Sequence, residues 1–435
     1  MSFAYQTGED HPLLAALGLS TGRFARANLD VHADDEMLQH YLDLHGGDRD
    51  RALVLYFDSG RRIWETMAAV LRWRFGRLGA DFRLLDFASG YGRVTRFAVL
   101  DLPPEQVWVA DLYAGGVRFQ EEAFGVLGLA SHADPERFAA GGAFDAILVS
   151  SLFTHLPEAT FGAWLGRLHG LLRPGGVLAF SVHGEDLVPP GRELPPAGLL
   201  FDRSSESGSL PTEQYGTAWV GEPFVRRAIA EVAPGSSACR IPRGLANFQD
   251  LWIVVPEPGC DFSGLRLRAG PDGFVEHCSV AAGRLRMSGW VVDRVRRAAP
   301  RELRVSVGGE VLRVLRDFHP RTEIGALFPY ERVTGYGWGF EADLPAGALE
   351  GNAVLSVEVV DAAGEAFPLY EDALLTALLR SARIDVYLMR VQRDRERARA
   401  EGLEARLAGM QASRFWKLRN AWFRVKRGLG ITEEI

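Results

Sequence analysis

The chain has 435 residues, 47% of them apolar and 24% charged, with a formal net charge of −7. That length predicts two or three domains, and the composition is that of packed protein rather than of a disordered chain. The negative balance excludes a general binder of nucleic-acid phosphates, and no stretch reaches the ~20 apolar residues that span a bilayer.

Residues 1–80 read as an N-terminal helical region. Between 48 and 75, Leu53, Tyr56, Ile63, Met67, Val70, Leu71 and Phe75 recur at helical spacing. The start, MSFAYQTGEDHPLLAALG, lacks the basic residues and apolar run of a cleaved leader. Residues 81–256 alternate short apolar runs with helical stretches. The runs are FRLLDF (82–87), QVWVAD (106–111), a third closing at His132-Ala133-Asp134, FDAILV (144–149), GVLAFSV (176–182) and DLWIVV (250–255). This rhythm predicts β-α-β units, hence an α/β fold with a mainly parallel sheet.

Pro256-Glu257-Pro258-Gly259 breaks the pattern. From 260 to 370, runs such as RLRMSGWVV, ELRVSV, GFEADL and AVLSVEVV between Gly-, Pro- and Asp-rich turns predict a small all-β sandwich. From 372 to 430 the chain is helical and charged. Ile384, Leu388, Val391, Arg395, Ala398, Leu403, Leu407 and Met410 give an imperfect three-and-four spacing, the pattern of a short coiled coil that Arg395 and Gly402 interrupt.

The chemistry concentrates in LLDFASGYGR, 84–93, where a buried strand ends at Asp86 and a small-residue turn leads into a helix. Gly90 and Gly92 allow backbone angles closed to other residues and leave no side chain in a ligand's way. Ligands of open α/β sheets bind at the carboxyl ends of the strands. There the second strand ends in Asp111, followed by Leu112, and a carboxylate at that place can accept both ribose hydroxyls of a nucleoside. Asp134 offers an acceptor for an adenine amino group, and the fourth strand, opened by Asp145, ends at Ser150.

This series resembles the class I S-adenosylmethionine-dependent methyltransferases, with their Rossmann-like fold, over roughly 170 to 200 residues. The resemblance implies that S-adenosyl-L-methionine is the cofactor. Ala88, Ser89, Gly90 and Gly92 would hold its methionine part and Asp111 its ribose, with Asp86, Leu112, Asp134 and Ser150 completing the pocket. Ala88 departs from the glycine usual in the family. Asp86 either supports the turn or touches cofactor. Tyr91 and Arg93 flank the turn as ligand contacts or as an exposed helix start, and Tyr56 closes over the cofactor or packs in the core.

An alcohol acceptor must lose a proton, for which histidine suits neutral pH. His155, just beyond the fourth strand, and His183, just beyond the fifth, are the catalytic candidates, each with the alternative of a local cap. The loop-like segment 186–219 reads as a substrate-facing lid, and Tyr215-Gly216-Thr217 with Asn247-Phe248-Gln249-Asp250 as pocket lining or turn chemistry. No Asn-Pro-Pro-Tyr run appears, which argues against methylation of an exocyclic base nitrogen.

The sandwich resembles the small β-domains beside bacterial glycosyltransferases and polysaccharide-modifying enzymes, where Trp290, Trp338 and Phe340 would stack on sugars or fill the core. The tail 413–430, SRFWKLRNAWFRVKRGLG, carries six basic residues and no acidic one among its aromatics. It suits an anionic membrane interface or a docking surface on protein, and similar tails occur in enzymes of bacterial surface-glycan assembly.

The expectation is therefore a bacterial-type methyltransferase acting on a hydroxyl of a surface polysaccharide or its lipid-linked precursor. The alternatives are methylation of a small molecule or lipid, or a cofactor-binding scaffold without turnover. Cys239, Cys260 and Cys278 are odd in number and not spaced as metal ligands, so no metal is expected, and reduced thiols fit a cytoplasmic protein, either free or peripheral at the inner face of the membrane. The expected partners are the glycan or small-molecule acceptor, a second copy through the C-terminal helix and an anionic membrane, with no nucleic acid.

Overall fold

A computed structural model describes residues 2–6, 26–140, 142–204, 210–267, 269–328, 331–351 and 353–428. Residues 1–378 form one compact unit and 379–435 a second.

The N-terminal region is not wholly helical. Strand β1 (Phe3–Tyr5) pairs antiparallel with β2 (Val31–His32); residues 7–25 lie outside the described residues. Helix α1 (Glu36–Leu44) starts where Asp35 accepts the Met37 and Leu38 amides. Helix α2 (Arg49–Phe75) starts at the Asp48 cap and stops at Gly76, whose φ of +64° ends the helical path. Its apolar stripe, including Leu53, Ile63, Met67 and Val70, is buried.

The chain then alternates β3 (Leu84–Phe87), α3 (Thr95–Asp101), β4 (Val107–Asp111), α4 (Ala114–Phe124), β5 (Leu127–Ala130), β6 (Phe144–Val149), α5 (Glu158–His169) and β7 (Leu172–Val182). After β7 come a hairpin, β8 (Leu199–Asp202) with β9 (Thr217–Val220), helix α6 (Glu222–Val232), and strands β10 (Ser237–Leu245) and β11 (Gln249–Val255). The seven-stranded sheet runs β10-β11-β7-β6-β3-β4-β5, parallel from β7 to β5, with β10 and β11 each antiparallel to their neighbours. Strand order reverses between β3 and β6, so their carboxyl ends open a crevice of the Rossmann-like kind. Apolar layers cover both faces: α2, α3 and α4 contribute to one, α5 and α6 to the other.

Three local expectations need correction. The third strand ends at Ala130, four residues before Asp134. The segment 186–219, expected as loop, contains the β8–β9 hairpin. Strand β10 was not foreseen because Pro242 interrupts it; as the sheet's edge strand it tolerates a residue without an amide hydrogen.

The β-domain has two four-stranded antiparallel sheets. One joins β12 (Asp272–Ala281), β13 (Arg284–Val292), β17 (Gly335–Asp343) and β16 (His319–Arg321), with a one-turn helix α7 (Thr322–Gly325) beside them. The other joins β15 (Glu310–Leu315), β14 (Glu302–Val307), β18 (Val354–Val360) and β19 (Ala366–Ala373). Leu285, Met287 and Val291 from the first meet Leu303, Val305, Leu355 and Val357 from the second in one core. Trp338 is buried there and Phe340 packs against it, leaving Trp290, half-buried, as the aromatic with a partly open face. A buried ionic chain joins this domain to the α/β sheet. Glu331 accepts from Arg243 Nη1 (2.6 Å) and Arg294 Nε (2.8 Å), and Asp272 accepts from Arg294, Arg62 and Asn247.

Two helices end the chain, α8 (Leu374–Ala412) and α9 (Arg414–Gly428). Among the described residues no helix is long and apolar enough to cross a membrane.

Candidate active site

The turn after β3 is folded by positive backbone angles at Ala88 (φ +58°), Gly90 (+58°) and Gly92 (+77°). Ala88 bears a Cβ in a region that favours glycine, a strain of about 1 kcal/mol that the surrounding bonds must offset. Those bonds come from β4. The Ala88 and Ser89 amides donate to the Ala110 carbonyl, and the Gly90 amide donates to Asp111 Oδ2 (2.7 Å). Asp111 also takes the Tyr113 amide on Oδ1 (2.9 Å). It is buried, and burial lifts its carboxyl above the usual range against the opposing pull of these amides. Each oxygen keeps a lone pair, so a vicinal diol can still bind. A Cβ on Gly90 would meet nothing within 4 Å, whereas one on Gly92 would strike Phe124 and Gln120, and one on Gly116 would strike the Gly90 carbonyl. The turn is thus clamped from below by α4 and open above Gly90, which is the room a nucleoside-linked amino acid needs.

Asp86 stays beneath the turn, 3% exposed. Thr95 Oγ1 lies 2.8 Å from Asp86 Oδ2 and 2.7 Å from Gln120 Oε1, while Gln120 Nε2 reaches Ser89 Oγ and the Gly90 carbonyl, each at 2.9 Å. The Gly90 carbonyl can only accept, so the Gln120 amide must turn its nitrogen there and its oxygen to Thr95. The single Thr95 hydroxyl hydrogen is then spent on Gln120, and Asp86 must supply the proton between Asp86 and Thr95. Burial, with Asp111 adding repulsion and Thr95 and Arg93 opposing, raises the Asp86 carboxyl to about 7. Both lines give a carboxyl that keeps its proton below about pH 7, at the head of a donor chain that ends on the glycine turn.

The N-terminal region holds the turn from the other side. Arg96, fully buried, donates to the Gly92 carbonyl and to the Asn28 and Asp30 carbonyls, and bonds the Tyr56 hydroxyl, which in turn donates to Asp35 (2.6 Å). Tyr56 therefore supports the cradle from within the core. His32 stacks on Tyr91 at 4.9 Å.

At the neighbouring edge, β6 runs out into Ser150 and Ser151, and the chain continues to His155, buried under the hairpin. His155 Nδ1 meets the Gly216 carbonyl at 2.7 Å, and Tyr215 stacks on its ring at 4.5 Å. Since that carbonyl only accepts, Nδ1 carries the hydrogen and Nε2 the basic lone pair. His183, ending β7, lies 6.5 Å from His155 between centroids and is flanked by Trp219 and Phe248. Burial, then repulsion from His155, push its imidazole down to about 3 against a hydrogen bond to the Ala218 backbone. It is a neutral ring. Its buried Nδ1 has no partner among the described residues, and neither has the buried hydroxyl of Ser150. Unmatched buried polar atoms call for an explanation, and a ligand at this strand edge supplies one.

The two edges draw together Asp86, Ala88, Ser89, Gly90, Gly92 and Asp111 on one side and Ser150, His155 and His183 on the other. Leu112 stands beside Asp111 with a largely exposed side chain. Asp134 is exposed and caps a short turn by accepting the Glu136 amide (3.0 Å), not the end of a strand. Asp145 pairs with Arg173 and the Arg83 amide, away from the carboxyl edge. Of the late segment, Phe248 faces His183, whereas Asn247 and Asp250 are committed to Asp272 and Arg240, and Gln249 to Ser151 and Ser181. Thr95, Gln120 and Arg96 were missed. Thr95 and Arg96 open the helix after the turn and Gln120 lies on α4, where no spacing separates a buried polar side chain from an exposed one. No group of three or more His, Cys, Asp or Glu suited to a metal occurs among the described residues.

Residues 85–180 match a family model described as a methyltransferase domain. No curated protein matches in sequence. Among solved structures, a glycopeptide N-methyltransferase, MtfA, complexed with S-adenosylmethionine is 18% identical, with a TM-score of 0.34 over 46% of this chain and 94% of its own. DesVI of Streptomyces venezuelae is 15% identical, with a TM-score of 0.34 over 45% and 92%. An O-methyltransferase family protein from Burkholderia thailandensis is 18% identical, with a TM-score of 0.34 over 57% and 72%. The matched family model falls on the strands that build the cradle, β3 to β7, so this part of the chain is a class I S-adenosylmethionine-dependent methyltransferase domain.

Proposed function

We propose that the enzyme transfers the methyl group to a hydroxyl of a glycan, either a bacterial surface polysaccharide or its lipid-linked precursor. The bound cofactor supplies an electrophilic methyl on sulfur. The turn from Ala88 to Gly92 and Asp111 would hold that cofactor with its methyl in line with an acceptor oxygen, so that much of the rate would come from alignment. His155 takes the hydroxyl proton on Nε2, its ring fixed by the Gly216 carbonyl and the Tyr215 stack. His183, too weakly basic to hold a proton, accepts a hydrogen bond from a neighbouring hydroxyl on Nδ1. The observation that carries this reading is the buried His183 Nδ1, without a partner among the described residues, on a ring flanked by Trp219 and Phe248. Trp290 offers the β-domain's stacking face for a longer glycan.

The test is a panel of sugar acceptors with His155→Ala and His183→Ala. We expect transfer to fall about 10²–10⁴-fold for His155→Ala with calorimetric binding of S-adenosylhomocysteine unchanged. Cofactor binding without transfer to any acceptor would favour the scaffold reading.

The tail supports work at the cytoplasmic face of a membrane. In α9 Leu418, Trp422 and Val425 are exposed and Arg419 lies over both Trp416 and Phe423, a mixture of aromatic and cationic groups suited to an anionic interface. Full-length protein should pellet with anionic liposomes and a chain ending at Gly409 should not; equal pelleting removes the membrane role.

A further inference from the structure

Helix α8 carries a stripe that the spacing of its most apolar residues conceals. Ile384, the first residue of the stripe expected from sequence, is buried. Apart from Leu375 and Leu388, the exposed large apolar residues of α8 are instead Leu379, Val386, Met389, Leu403, Leu407 and Met410, between 44% and 65% exposed. Together with the exposed Ala382, Arg393, Glu396 and Ala400 they fall at strict alternating steps of three and four from 379 to 410. That is a heptad seam, with Leu379, Val386, Arg393, Ala400 and Leu407 at one core position and Ala382, Met389, Glu396, Leu403 and Met410 at the other.

The seam is self-complementary when read backwards. In an antiparallel pair each residue of the first set meets one of the second. The layers become Leu379 with Met410, Ala382 with Leu407, Val386 with Leu403, and Met389 with Ala400. At the centre, Arg393 of each copy meets Glu396 of the other. Every small residue faces a large one, and the single charged layer is of opposite sign. A parallel pair would set Arg393 against Arg393, Glu396 against Glu396 and alanine against alanine. On the flanks the antiparallel register brings Arg383 to Glu404 and Asp385 to Arg406. One flank opposes it, Arg390 against Arg397, although Arg397 is engaged by Glu401 of its own helix (3.0 Å). Glu396 receives Gln392 on one oxygen (3.2 Å) and keeps the other for a partner.

We infer that α8 pairs with α8 of a second copy as an antiparallel two-stranded coiled coil centred between Arg393 and Glu396, a rod about 47 Å long at 1.5 Å per residue. The pairing is independent of the acceptor reading, since no residue of the cradle takes part.

Sedimentation of the full chain should give a dimer. Arg393→Glu places like charges in the central layer twice and should weaken dimerisation about tenfold or more, and Arg393→Glu with Glu396→Arg should restore it. Orientation is read by oxidative cross-linking, with linked peptides identified by mass spectrometry so that native Cys239 and Cys260 are not confused with the new thiols. Leu379→Cys with Met410→Cys in one chain should give a covalent dimer and each single variant none. All these positions are exposed, and unchanged circular dichroism and S-adenosylhomocysteine binding show that the variants fold. A monomer at all concentrations, or dimers from the single cysteine variants, overturns the proposal.

Discussion

Ionising Asp86 would remove the proton from which Thr95, Gln120 and the Gly90 carbonyl hang in series. Its folded carboxyl titrates near 7 against 3.8 when unfolded, so the folded chain holds the extra proton between those values. Stability therefore falls as pH climbs from about 4 to about 7 and stays lower above, by roughly 4 kcal/mol at the order-of-magnitude level. Asp86→Asn keeps a neutral donor toward Thr95. We expect it to bind S-adenosylhomocysteine as well as wild type at pH 6, and to lose the decline in affinity that wild type shows above pH 7. Asp86→Ala should weaken binding at every pH. A wild-type affinity flat from pH 6 to 8.5 in calorimetry would mean that no titration of Asp86 in that range governs binding. The residues of the glycine turn were legible because chain geometry forces small residues there. The partners that fix the turn were not: Gln120 reads as one more polar residue on a helix, and its role follows only from where its two amide ends point.

The hairpin of β8 and β9 reaches the chemistry through one peptide unit, since Gly216 both receives the His155 ring on its carbonyl and donates its amide to the His155 carbonyl. A Cβ on Gly216 would lie 2.1 Å from the Asp202 carbonyl oxygen and within 3 Å of the Phe201 ring. Gly216→Ala must therefore push β9 off β8 and carry the His155 partner with it. We expect about a 10²-fold loss of methyl transfer, the scale set by a displacement near 1 Å, with cofactor affinity intact; equal turnover in a radiolabelled-methyl assay would detach the hairpin from catalysis. Elements of this kind are hard to read from sequence. The parallel strands declare themselves as apolar runs because both faces are covered. The hairpin strands are only four residues each, with Gly- and Ser-rich chain between them, and Pro242 masks β10 although an edge position makes it harmless.

At the scale of the molecule, the question is whether the β-domain is an appendage or part of the enzyme. Its Glu331 is almost fully buried between Arg243, which leaves β10, and Arg294, which follows β13, and Arg243 also pairs with Asp186 just beyond His183 (2.5 Å). Arg294 lies 5.7 Å from the centre of the Phe248 ring, which also makes an edge contact with the His183 ring at 5.7 Å. The turn carrying these contacts is strained, with positive φ at Arg243, Ala246 and Asn247, and the ionic chain holds it. None of this was visible in sequence, because ion pairs 37 to 88 residues apart leave no spacing; only the change of period after Pro256 announced a second domain. Glu331→Gln keeps the shape and removes the charge that Arg243 and Arg294 share, leaving Arg243 with Asp186 and Arg294 with Asp272, at a cost of about 1–3 kcal/mol. Residues 1–378 should melt as one transition in wild type and as two in the variant, because the α/β sheet and the β-domain keep separate cores once the charge pairing between them fails. Heat from S-adenosylhomocysteine should be unchanged in the variant, since the cradle lies on β3 and β4. Acceptor turnover should fall, because Phe248 and Asp186 lose their support. A single calorimetric transition at the wild-type temperature in the variant would show that the Glu331 charge does not couple the domains, and support for the acceptor site would then have to come from the α/β sheet and its hairpin.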